Sequence, residues 1–403
     1  MDYSKYLNKA VCEMKPSGIR KYFDLAASMP DCISLGVGEP NFVTPKRGID
    51  AAIKSMQDGI TRYTSNNGWP VLRKNISKYL AMRYDLHYDP DKELIVTVGV
   101  SEAILDVMQT IINPGDEILI AEPCFVSYAP NIVMAGERRY ADMFQSVVLI
   151  CKAEDNFIIT PDALEAAITP KTKALFMCYP NNPTGAIMTK EQLAAIVPVI
   201  IKHDILCLSD EVYSELTYDG LEHVSIATFE GMRERTFVFN GFSKGFAMTG
   251  WRVGYVCAPK EMMVQTMKVH QFAIMCAPTA SQHAANALLE DAFETDFNEV
   301  KTMVAEYDRK RRRLYKALLD MGLDCFEPKG AFYMFPSVKS TGITGDEFSE
   351  RLLMEYKVCV PAGEAFGESS GSEHIRISYA YSIEQLEKGI DRMAAFVKEL
   401  KSK

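Results

Sequence analysis

The chain has 403 residues, of which 48% are hydrophobic and 24% are charged, as in ordinary globular proteins. A chain of this length exceeds one simple core, so we expect a large domain and a smaller one. The net charge of −9 is spread along the sequence, which argues against nucleic acid or an anionic membrane as a partner.

The N-terminal sequence and the cysteines bear on location. The first residues, MDYSKYLNKAVCEMK, carry charges throughout and have no apolar centre, so no export signal is expected. The longest apolar run, residues 193–201, is about half the length of a membrane span. The ten cysteines form no C-x-x-C pair, and the six histidines are dispersed. We therefore predict a cytoplasmic protein with reduced thiols, no membrane segment and no metal site.

The N-terminal part combines a glycine-rich turn with two helices. Gly36 and Gly38 permit close approach of the backbone to a ligand, although an ordinary turn fits the pattern equally well. This G-x-G lacks the third glycine of a dinucleotide-binding fingerprint. The periodicity predicts helices at 46–58 and 70–84, and the loop between them contains Tyr63.

Short apolar runs alternate with amphipathic stretches from residue 94 onward. Such alternation is typical of a mostly parallel sheet with helices on both faces. A capping box at Thr189 and Gln192 predicts the start of one of these helices. The runs predict strands at 94–98, 117–121, 174–178, 206–209, 236–240 and 255–258.

The pattern changes after about residue 290. A charged stretch predicts one long helix at 292–321, in which residues 309–313 form a solvated face. Apolar segments at 330–335 and 374–379 predict strands of a second, smaller sheet. We therefore expect a change of domain near this point.

Polar and aromatic residues follow several predicted strands directly. Ser101 fits the N-cap of a helix, and the free amides of that helix start are also a possible phosphate site. Phe125 suits either the core or stacking on a flat ligand. Asn182 lies in a turn-rich segment, while Asp210 and Tyr213 lie where open α/β sheets bind ligands.

The most informative stretch is the glycine-rich loop 241–254, GFSKGFAMTGWRVG, between two predicted strands. Arg252 suits a phosphate or a carboxylate, because its guanidinium fork matches both groups. Lys244 provides an amine able to condense with an aldehyde, and Ser243 provides a hydroxyl. This combination indicates a phosphorylated aldehyde cofactor held covalently, as pyridoxal phosphate is.

Taken together, these motifs resemble the class I/II aminotransferases of the fold-type I pyridoxal-phosphate family. The closest subgroup is that of the bacterial and archaeal aspartate/aromatic aminotransferases, with some similarity to N-acetyl-diaminopimelate aminotransferases. The motifs that carry the resemblance are GFSKGFAMTGWRVG, NNPTG, SDEVY, HIRIS, GVGEPNF and AFYMFP, with SGIR and SELTY for the second similarity.

The resemblance implies an α/β fold with a mostly parallel seven-stranded sheet between helices, and a smaller α+β domain. The large cofactor-binding domain would span residues 46–290. The N-terminal segment 1–45 would pack with the small C-terminal domain, 291–403. Closure of the small domain would then bring substrate-binding residues onto the substrate.

The resemblance also implies roles at the reacting centre. Lys244 would form a Schiff base with the cofactor aldehyde and shuttle the proton. Asp210 would pair with the pyridinium nitrogen, and Tyr213 and Asn182 would bond the 3-oxygen of the ring. Phe125 would stack on the ring.

Further residues would hold the phosphate. In the family pattern this group is bound by Arg252, Ser243 and the backbone amides near Ser101 and Glu102. Gly241 departs from that pattern, because many relatives carry Ser or Thr at this position. One phosphate hydrogen bond would therefore be missing here.

The substrate would be held by its α-carboxylate. Arg376 would bind this group bidentately, and the Gly38 amide and Asn182 would assist. Tyr63 would reach the phosphate in the neighbouring subunit, which implies a homodimer. The implied activity is ping-pong transfer of an amino group between an L-amino acid and a 2-oxo acid. Glutamate and 2-oxoglutarate would form one pair, and the other would be aspartate, an aromatic amino acid or an N-acetyl-diaminopimelate-like compound.

Three alternatives remain open at this point. A β-lyase uses the same fold and cofactor. Residues 241–245 also satisfy G-x-S-x-G, the nucleophile elbow of serine hydrolases, with His270, His283 and His374 downstream as bases. A regulator with an aminotransferase-like domain would need an added DNA-binding module, for which the sequence before the matching region leaves no room.

Overall fold

The computed structural model describes residues 1, 3–135 and 145–402. Its strands are short, and most of those in the first three hundred residues are buried. The strands found in these residues are β1 (Ile33–Ser34), β2 (Leu94–Thr97), β3 (Glu117–Glu122), β4 (Gln145–Ile150), β5 (Thr172–Cys178), β6 (Leu206–Asp210), β7 (Thr236–Gly241), β8 (Gly254–Cys257), β9 (Tyr333–Met334), β10 (Val358–Cys359) and β11 (Ile377–Ser378).

The helices of the same residues cover the strands. They are α1 (Lys9–Glu13), α2 (Gly18–Ser28), α3 (Lys46–Gln57), α4 (Pro70–Tyr84), α5 (Gly99–Ile111), α6 (Tyr128–Ala135), α7 (Pro161–Ala167), α8 (Lys190–Lys202), α9 (Lys260–Ala273), α10 (Thr279–Thr295), α11 (Asn298–Asp320), α12 (Gly345–Tyr356), α13 (Glu368–Gly371) and α14 (Ile383–Ser402). None of the helices in the described ranges is long and apolar enough to cross a membrane.

The main sheet has seven strands in the order β2-β8-β7-β6-β5-β3-β4. All its strands are parallel except β8, which runs antiparallel to both neighbours. Strands β2, β7 and β8 are buried along their whole length, because helices cover both faces of the sheet. The predicted seven-stranded, mostly parallel sheet is therefore confirmed.

Two small sheets join distant parts of the chain. Ile33 of β1 pairs in parallel with Val358 of β10, and β9 pairs with β11 in antiparallel register. Helix α2 packs on the first of these sheets through Tyr22, which lies in a buried cluster with Leu353 and Cys359. The N-terminal segment is thus attached to the last third of the chain.

The predicted long helix at 292–321 is wrong in its first turns. Asp296 and Phe297 both have left-handed backbone, with φ of 51° and 59°, and they separate α10 from α11. An α-helix cannot continue through such residues, because its own φ is negative. Neither residue is glycine, so the sequence gives no signal for this break.

The predicted solvated face at residues 309–313 is also wrong at two positions. Lys310 and Arg311 are 1% and 0% exposed. Arg311 forms ion pairs with Asp219, Asp308 and Glu327, which offset the cost of burying its charge. Two of these partners come from distant segments, so only the folded chain reveals them.

The helix caps follow the sequence closely. Thr189 and Gln192 form the predicted capping box at the start of α8. Ser382 accepts a hydrogen bond from the Gln385 amide at the start of α14. Ser101, in contrast, is not an N-cap, because α5 begins two residues earlier, at Gly99, directly after Val98.

The topology brings six strand ends to one edge of the sheet. Strands β2, β3, β4, β5, β6 and β7 are mutually parallel, so their carboxyl ends point the same way. The loops after them carry the polar residues singled out in the sequence. Open α/β sheets bind ligands at this edge.

Candidate active site

A cavity of about 290 Å³ lies at this edge of the sheet. Its walls come from the loops after the parallel strands, from the small sheets and from α2. Most of the predicted site residues line it: Gly38, Ser101, Phe125, Asn182, Asp210, Tyr213, Ser243, Lys244, Arg252 and Arg376.

Lys244 presents its amine to the cavity from the loop between β7 and β8. Its Nζ donates a hydrogen bond to the Gly38 carbonyl oxygen at 2.6 Å, and lies 5.7 Å from the ring centroids of Tyr213 and Phe332. Burial lowers the pKa of this amine to about 8, although the Glu39 carboxylate opposes the shift. About a tenth of the Lys244 amine is therefore neutral, and nucleophilic, at pH 7, far more than for a lysine in water, whose pKa is about 10.4.

Asp210 ends β6 and is 4% exposed. The Tyr128 hydroxyl donates to its Oδ2 at 2.7 Å, and the Val212 amide donates to its Oδ1 at 3.1 Å. Burial raises the pKa of Asp210 to about 6, and the Tyr128 hydrogen bond opposes this shift. The carboxylate is thus held in one orientation and is poised to pair with a cation.

Two tyrosines connect the large sheet to the small one. The hydroxyls of Tyr213 and Tyr333 are 2.8 Å apart, and both rings are buried. A Cβ at Gly38 would lie 2.2 Å from the Tyr333 hydroxyl, so only glycine fits at this point. The turn predicted at Gly36 to Gly38 is therefore a wall of the cavity.

Arg376 lines the cavity from the residue directly before β11. Its guanidinium donates to Asn182 Oδ1 at 2.9 Å and to the Gly36 carbonyl oxygen, while its Nε has no partner. The group lies 4.6 Å from the ring centroid of Tyr333 and 4.5 Å from that of Phe366. A buried cation with a free donor is well suited to an incoming carboxylate.

A second cationic corner forms where α5 begins. A Cβ at Gly99 would lie 2.5 Å from Arg252 Nη2, so the guanidinium packs against the backbone of the helix start. The first amides of a helix have no partner within the helix, and they favour anions. Ser101 and Ser243 add hydroxyls to the same cavity. This corner has the donors that a phosphate needs.

The departure at Gly241 has a steric reason. A Cβ at this position would lie 2.9 Å from Gly254 Cα and 3.0 Å from the Val253 carbonyl oxygen. Strands β7 and β8 approach too closely here for a serine or threonine. The missing hydroxyl is therefore a consequence of strand packing.

Phe125 lies between the hydrophobic core and the cavity, so its position is compatible with both roles that the sequence left open. Its half-buried ring lines the cavity and meets the Tyr128 ring edge to face, with centroids 5.9 Å apart. It also packs against the main hydrophobic core.

Glu102 and Tyr63 do not line the cavity of this chain. The Glu102 carboxylate points the other way, to His270 Nδ1 at 2.6 Å. Tyr63 is 79% exposed on the loop before α4. Any contact of Tyr63 with a cofactor therefore has to be made in another subunit.

Some lining residues are absent from the sequence prediction. Tyr128 and Tyr333 are conspicuous among them, since they bond Asp210 and Tyr213. Ile19 and Phe23 of α2 form an apolar wall. Their spacing of four residues indicates that they share one face of α2, but nothing in the sequence shows that this face packs against the cavity.

Comparison with known proteins identifies the family. Residues 30–393 match the family model described as aminotransferase class I and II. The aspartate aminotransferase of Pyrococcus abyssi is 43% identical, over 96% of this chain and 97% of that protein. A Bacillus subtilis protein named "Probable N-acetyl-LL-diaminopimelate aminotransferase" is 39% identical, over 97% of this chain and 95% of that protein.

Solved structures agree with this result. The aromatic aminotransferase from Pyrococcus horikoshii OT3 is 40% identical and superposes with a TM-score of 0.88, covering 94% of this chain and 99% of that chain. The resemblance drawn from the motifs, with its fold-type I architecture, is thereby confirmed. The chain belongs to the class I and II aminotransferases, transferases whose members use pyridoxal 5′-phosphate.

Proposed function

We propose that this enzyme transfers an amino group between an L-amino acid and a 2-oxo acid in a ping-pong reaction. The observation that carries the proposal is the placement of the Lys244 amine in one cavity with Asp210 and two separate guanidinium groups. Each guanidinium suits a different anion, so cofactor and substrate have distinct attachment points.

The residues present fit pyridoxal phosphate. Arg252, Ser243, Ser101 and the start of α5 would hold the phosphate, since they form an anion-binding corner. The amides near Glu102 belong to the same helix turn, although its carboxylate points away. Bound there, the cofactor supplies an aldehyde that takes up the amino group and a ring that accepts electrons from the substrate.

Three side chains would tune the ring. Asp210 would bond the pyridine nitrogen and keep it protonated, because its carboxylate is buried and fixed by Tyr128. Tyr213 and Asn182 would bond the ring oxygen. Phe125 lines the cavity and would stack on one face of the cofactor ring.

Lys244 would hold the cofactor and then move the proton. Its lowered pKa supports both roles, because the neutral amine attacks an aldehyde and accepts a proton near neutral pH. The Gly38 carbonyl would keep the amine directed into the cavity between turnovers. Removal of this amine should therefore abolish turnover.

Arg376 would bind the substrate α-carboxylate, with Asn182 and the Gly38 amide assisting. Its burial between two aromatic rings supports this role, since a dry guanidinium binds a carboxylate strongly. We expect glutamate and 2-oxoglutarate to form one substrate pair. The other is an aspartate, aromatic or N-acetyl-diaminopimelate-like compound, the three classes for which the compared relatives are named.

The functional unit is proposed to be a homodimer in which Tyr63 reaches the phosphate of the neighbouring subunit. Tyr63 is 79% exposed and Phe272 is 86% exposed in the single chain. Large rings so exposed are typical of protein interfaces. The ten free thiols, most of them buried, support the proposed cytoplasmic setting.

The proposed domain division is 46–290 for the large domain and 1–45 with 291–403 for the small one. The pairing of β1 with β10 supports this grouping, because it links residues 33–34 to 358–359. Movement of the small domain would carry Arg376 and the Gly36 to Gly38 turn onto the substrate and exclude water.

The alternatives gain no support. The compared relatives are named as aminotransferases, and none is named as a lyase, a hydrolase or a regulator. The histidines that a serine hydrolase would need are engaged elsewhere. His270 bonds Glu102, and His283 and His374 stack on Trp69 and Phe335, with ring centroids 4.1 and 4.8 Å apart.

One panel of assays tests the proposal. Amino donors are offered with 2-oxoglutarate, and the formation of glutamate is measured against that of pyruvate and ammonia. We expect glutamate from the wild type and a loss of turnover in Lys244→Ala. Release of ammonia would indicate a lyase, and undiminished activity in Lys244→Ala would sink the assignment.

A further inference from the structure

A buried ionic cluster lies behind the cofactor corner. We call it the His270 cluster, and it consists of His270 on α9 and Glu102 and Asp106 on α5. His270 is 0% exposed and Asp106 is 2% exposed. His270 Nδ1 lies 2.6 Å from Glu102 Oε1, and its Nε2 lies 2.8 Å from the Asn66 carbonyl oxygen. The proposed reaction uses none of these three side chains.

The contacts define the protonation state of His270. A carboxylate oxygen and a carbonyl oxygen both accept hydrogen bonds, so both ring nitrogens must donate, and only the imidazolium does so. Burial by itself lowers the pKa of His270, but the Asp106 and Glu102 carboxylates raise it to about 10. His270 is therefore a buried cation between an anion and a backbone dipole.

The cluster has potential metal ligands but is better explained as an ion pair. One atom from each of the three residues lies within 4.8 Å of the others. Both nitrogens of His270 are already used as donors, which leaves no lone pair for a metal. Asp106 Oδ2 has no hydrogen-bond partner and lies 3.6 Å from His270 Nδ1, where it adds negative charge.

The His270 cluster connects the start of α5, which faces the cavity of its own subunit, with the loop that carries Tyr63, which is proposed to serve the cavity of the other subunit. Glu102 accepts a hydrogen bond from the Val98 amide, directly before the helix start that faces the cavity. Asn66 lies three residues after Tyr63. Other anchors of this loop include Thr279 Oγ1, 2.8 Å from the Arg62 carbonyl oxygen, and Gln282 Nε2, 3.0 Å from Thr64 Oγ1. The Asn66 side-chain amide also lies 3.5 Å from Gln271 Oε1.

We propose that His270 is a positioning residue that fixes the Tyr63 loop, residues 58–69 between α3 and α4, against the start of α5. Through its hydrogen bond to the Asn66 carbonyl oxygen, His270 orients the Tyr63 side chain. Tyr63 is the residue proposed to reach the cofactor phosphate in the neighbouring subunit. The effect of His270 on cofactor binding is therefore exerted in the neighbouring active site. This inference rests on the homodimer of the proposed function.

Two single substitutions separate the two hydrogen bonds. In His270→Gln, the side-chain NH2 group takes the place of Nε2 and can still donate to the Asn66 carbonyl oxygen. In His270→Asn, the shorter side chain places its NH2 group at the position of Nδ1, so only the donor toward Glu102 remains. We expect the Kd for pyridoxal phosphate to rise about tenfold in His270→Asn and less than about threefold in His270→Gln. Equal Kd values for the two variants, in fluorescence titrations without substrate, would contradict the proposal.

Hybrid dimers show which active site His270 serves. Lys244→Ala removes the reactive amine from one site, so the absorbance of covalently held cofactor reports only the other, intact site of each hybrid. In the first hybrid, Lys244→Ala and His270→Asn share one chain, and the partner is wild type. In the second, the two changes lie on different chains. We expect cofactor binding at the intact site to weaken about tenfold in the first hybrid and to match the wild type in the second.

The two hybrids distinguish an effect across the subunit interface from an effect within one subunit. Weakening in the second hybrid alone, or equally in both, would show that His270 acts within its own subunit or on overall folding, and would overturn the inference. Sedimentation of the wild type tests the dimer separately. A monomeric, active wild type would refute the proposed dimer, whereas a dimer without the hybrid effect would refute only the role of His270.

Discussion

The reactivity of Lys244 depends on the residues around its amine. A lysine in water is almost fully protonated at neutral pH, with a pKa of about 10.4. Burial in the cavity lowers the pKa of Lys244 to about 8, and the Arg376 and Arg252 charges act in the same direction. The sequence places this residue in a motif, but only the fold provides the burial and the charges that activate it.

The pKa of Lys244 should govern capture of the cofactor by the apoenzyme. Only the neutral amine attacks the aldehyde, so the rate should rise about tenfold per pH unit below pH 8 and level off above it. Stopped-flow absorbance after mixing apoenzyme with pyridoxal phosphate measures this rate. Lys244→Ala is the control and should lack the phase, and a midpoint near that of free lysine would disprove the shift.

Tyr128 should influence catalysis through Asp210. Its hydroxyl lowers the pKa of Asp210, so Tyr128→Phe should raise that pKa further and move the acid limb of the kcat/KM profile to higher pH. We expect kcat/KM at neutral pH to fall about tenfold. Tyr356→Phe, which loses a hydroxyl bonded to Glu399, is the control and should leave the profile unchanged. An unmoved acid limb in Tyr128→Phe would exclude this role.

At the scale of elements, the site depends on close contact between the glycine turn and β9. A Cβ at Gly38 would collide with the Tyr333 hydroxyl at 2.2 Å and approach the ring carbon behind it at 3.2 Å. Tyr333 in turn contacts Tyr213 and Arg376. A single methyl group on the turn should therefore displace three side chains of the site.

Gly38→Ala should lower kcat/KM about tenfold or more, since overpacking of this kind costs about 1–3 kcal/mol. Adding Tyr333→Phe removes the closest clash and should recover part of the loss relative to Gly38→Ala. Gly250→Ala is the matched control, because nothing lies within 4 Å of its Cβ position. Steady-state kinetics and cofactor titration measure the effects, and identical losses in the two alanine variants would count against the steric explanation.

The predictability of an element depends on whether its signal is local. Six of the seven strands of the main sheet and helix α8 were predictable because apolar runs and a capping box lie within the segment itself. Strand β4 was not predicted. The break at Asp296 and Phe297 was not, because two non-glycine residues adopt left-handed backbone there. The burial of Arg311 depends on acidic partners far away in the sequence.

The same distinction applies to the active site. Lys244, Asp210 and Arg376 could be singled out because they lie in dense motifs within or shortly after predicted strands. The apolar wall formed by Ile19 and Phe23 could not, because it depends on where α2 lies relative to the sheet.

At the scale of the whole molecule, we expect the purified protein to sediment as a dimer. The exposed rings of Tyr63 and Phe272 would become buried between subunits. Sedimentation velocity measures the mass, and cofactor titration of Tyr63→Phe should give a weaker Kd than the wild type with the same dimer mass. A monomer of full activity would refute the arrangement.

The pairing of β1 with β10 has a consequence for biosynthesis. The seven strands of the main sheet end at residue 257, so that sheet can assemble while the last part of the chain is still being translated. Ile33 cannot meet Val358 until about nine-tenths of the polypeptide has left the ribosome. We therefore expect a chain truncated before β10 to retain the main sheet but to lack both the strand partner of β1 and Arg376 in the cavity.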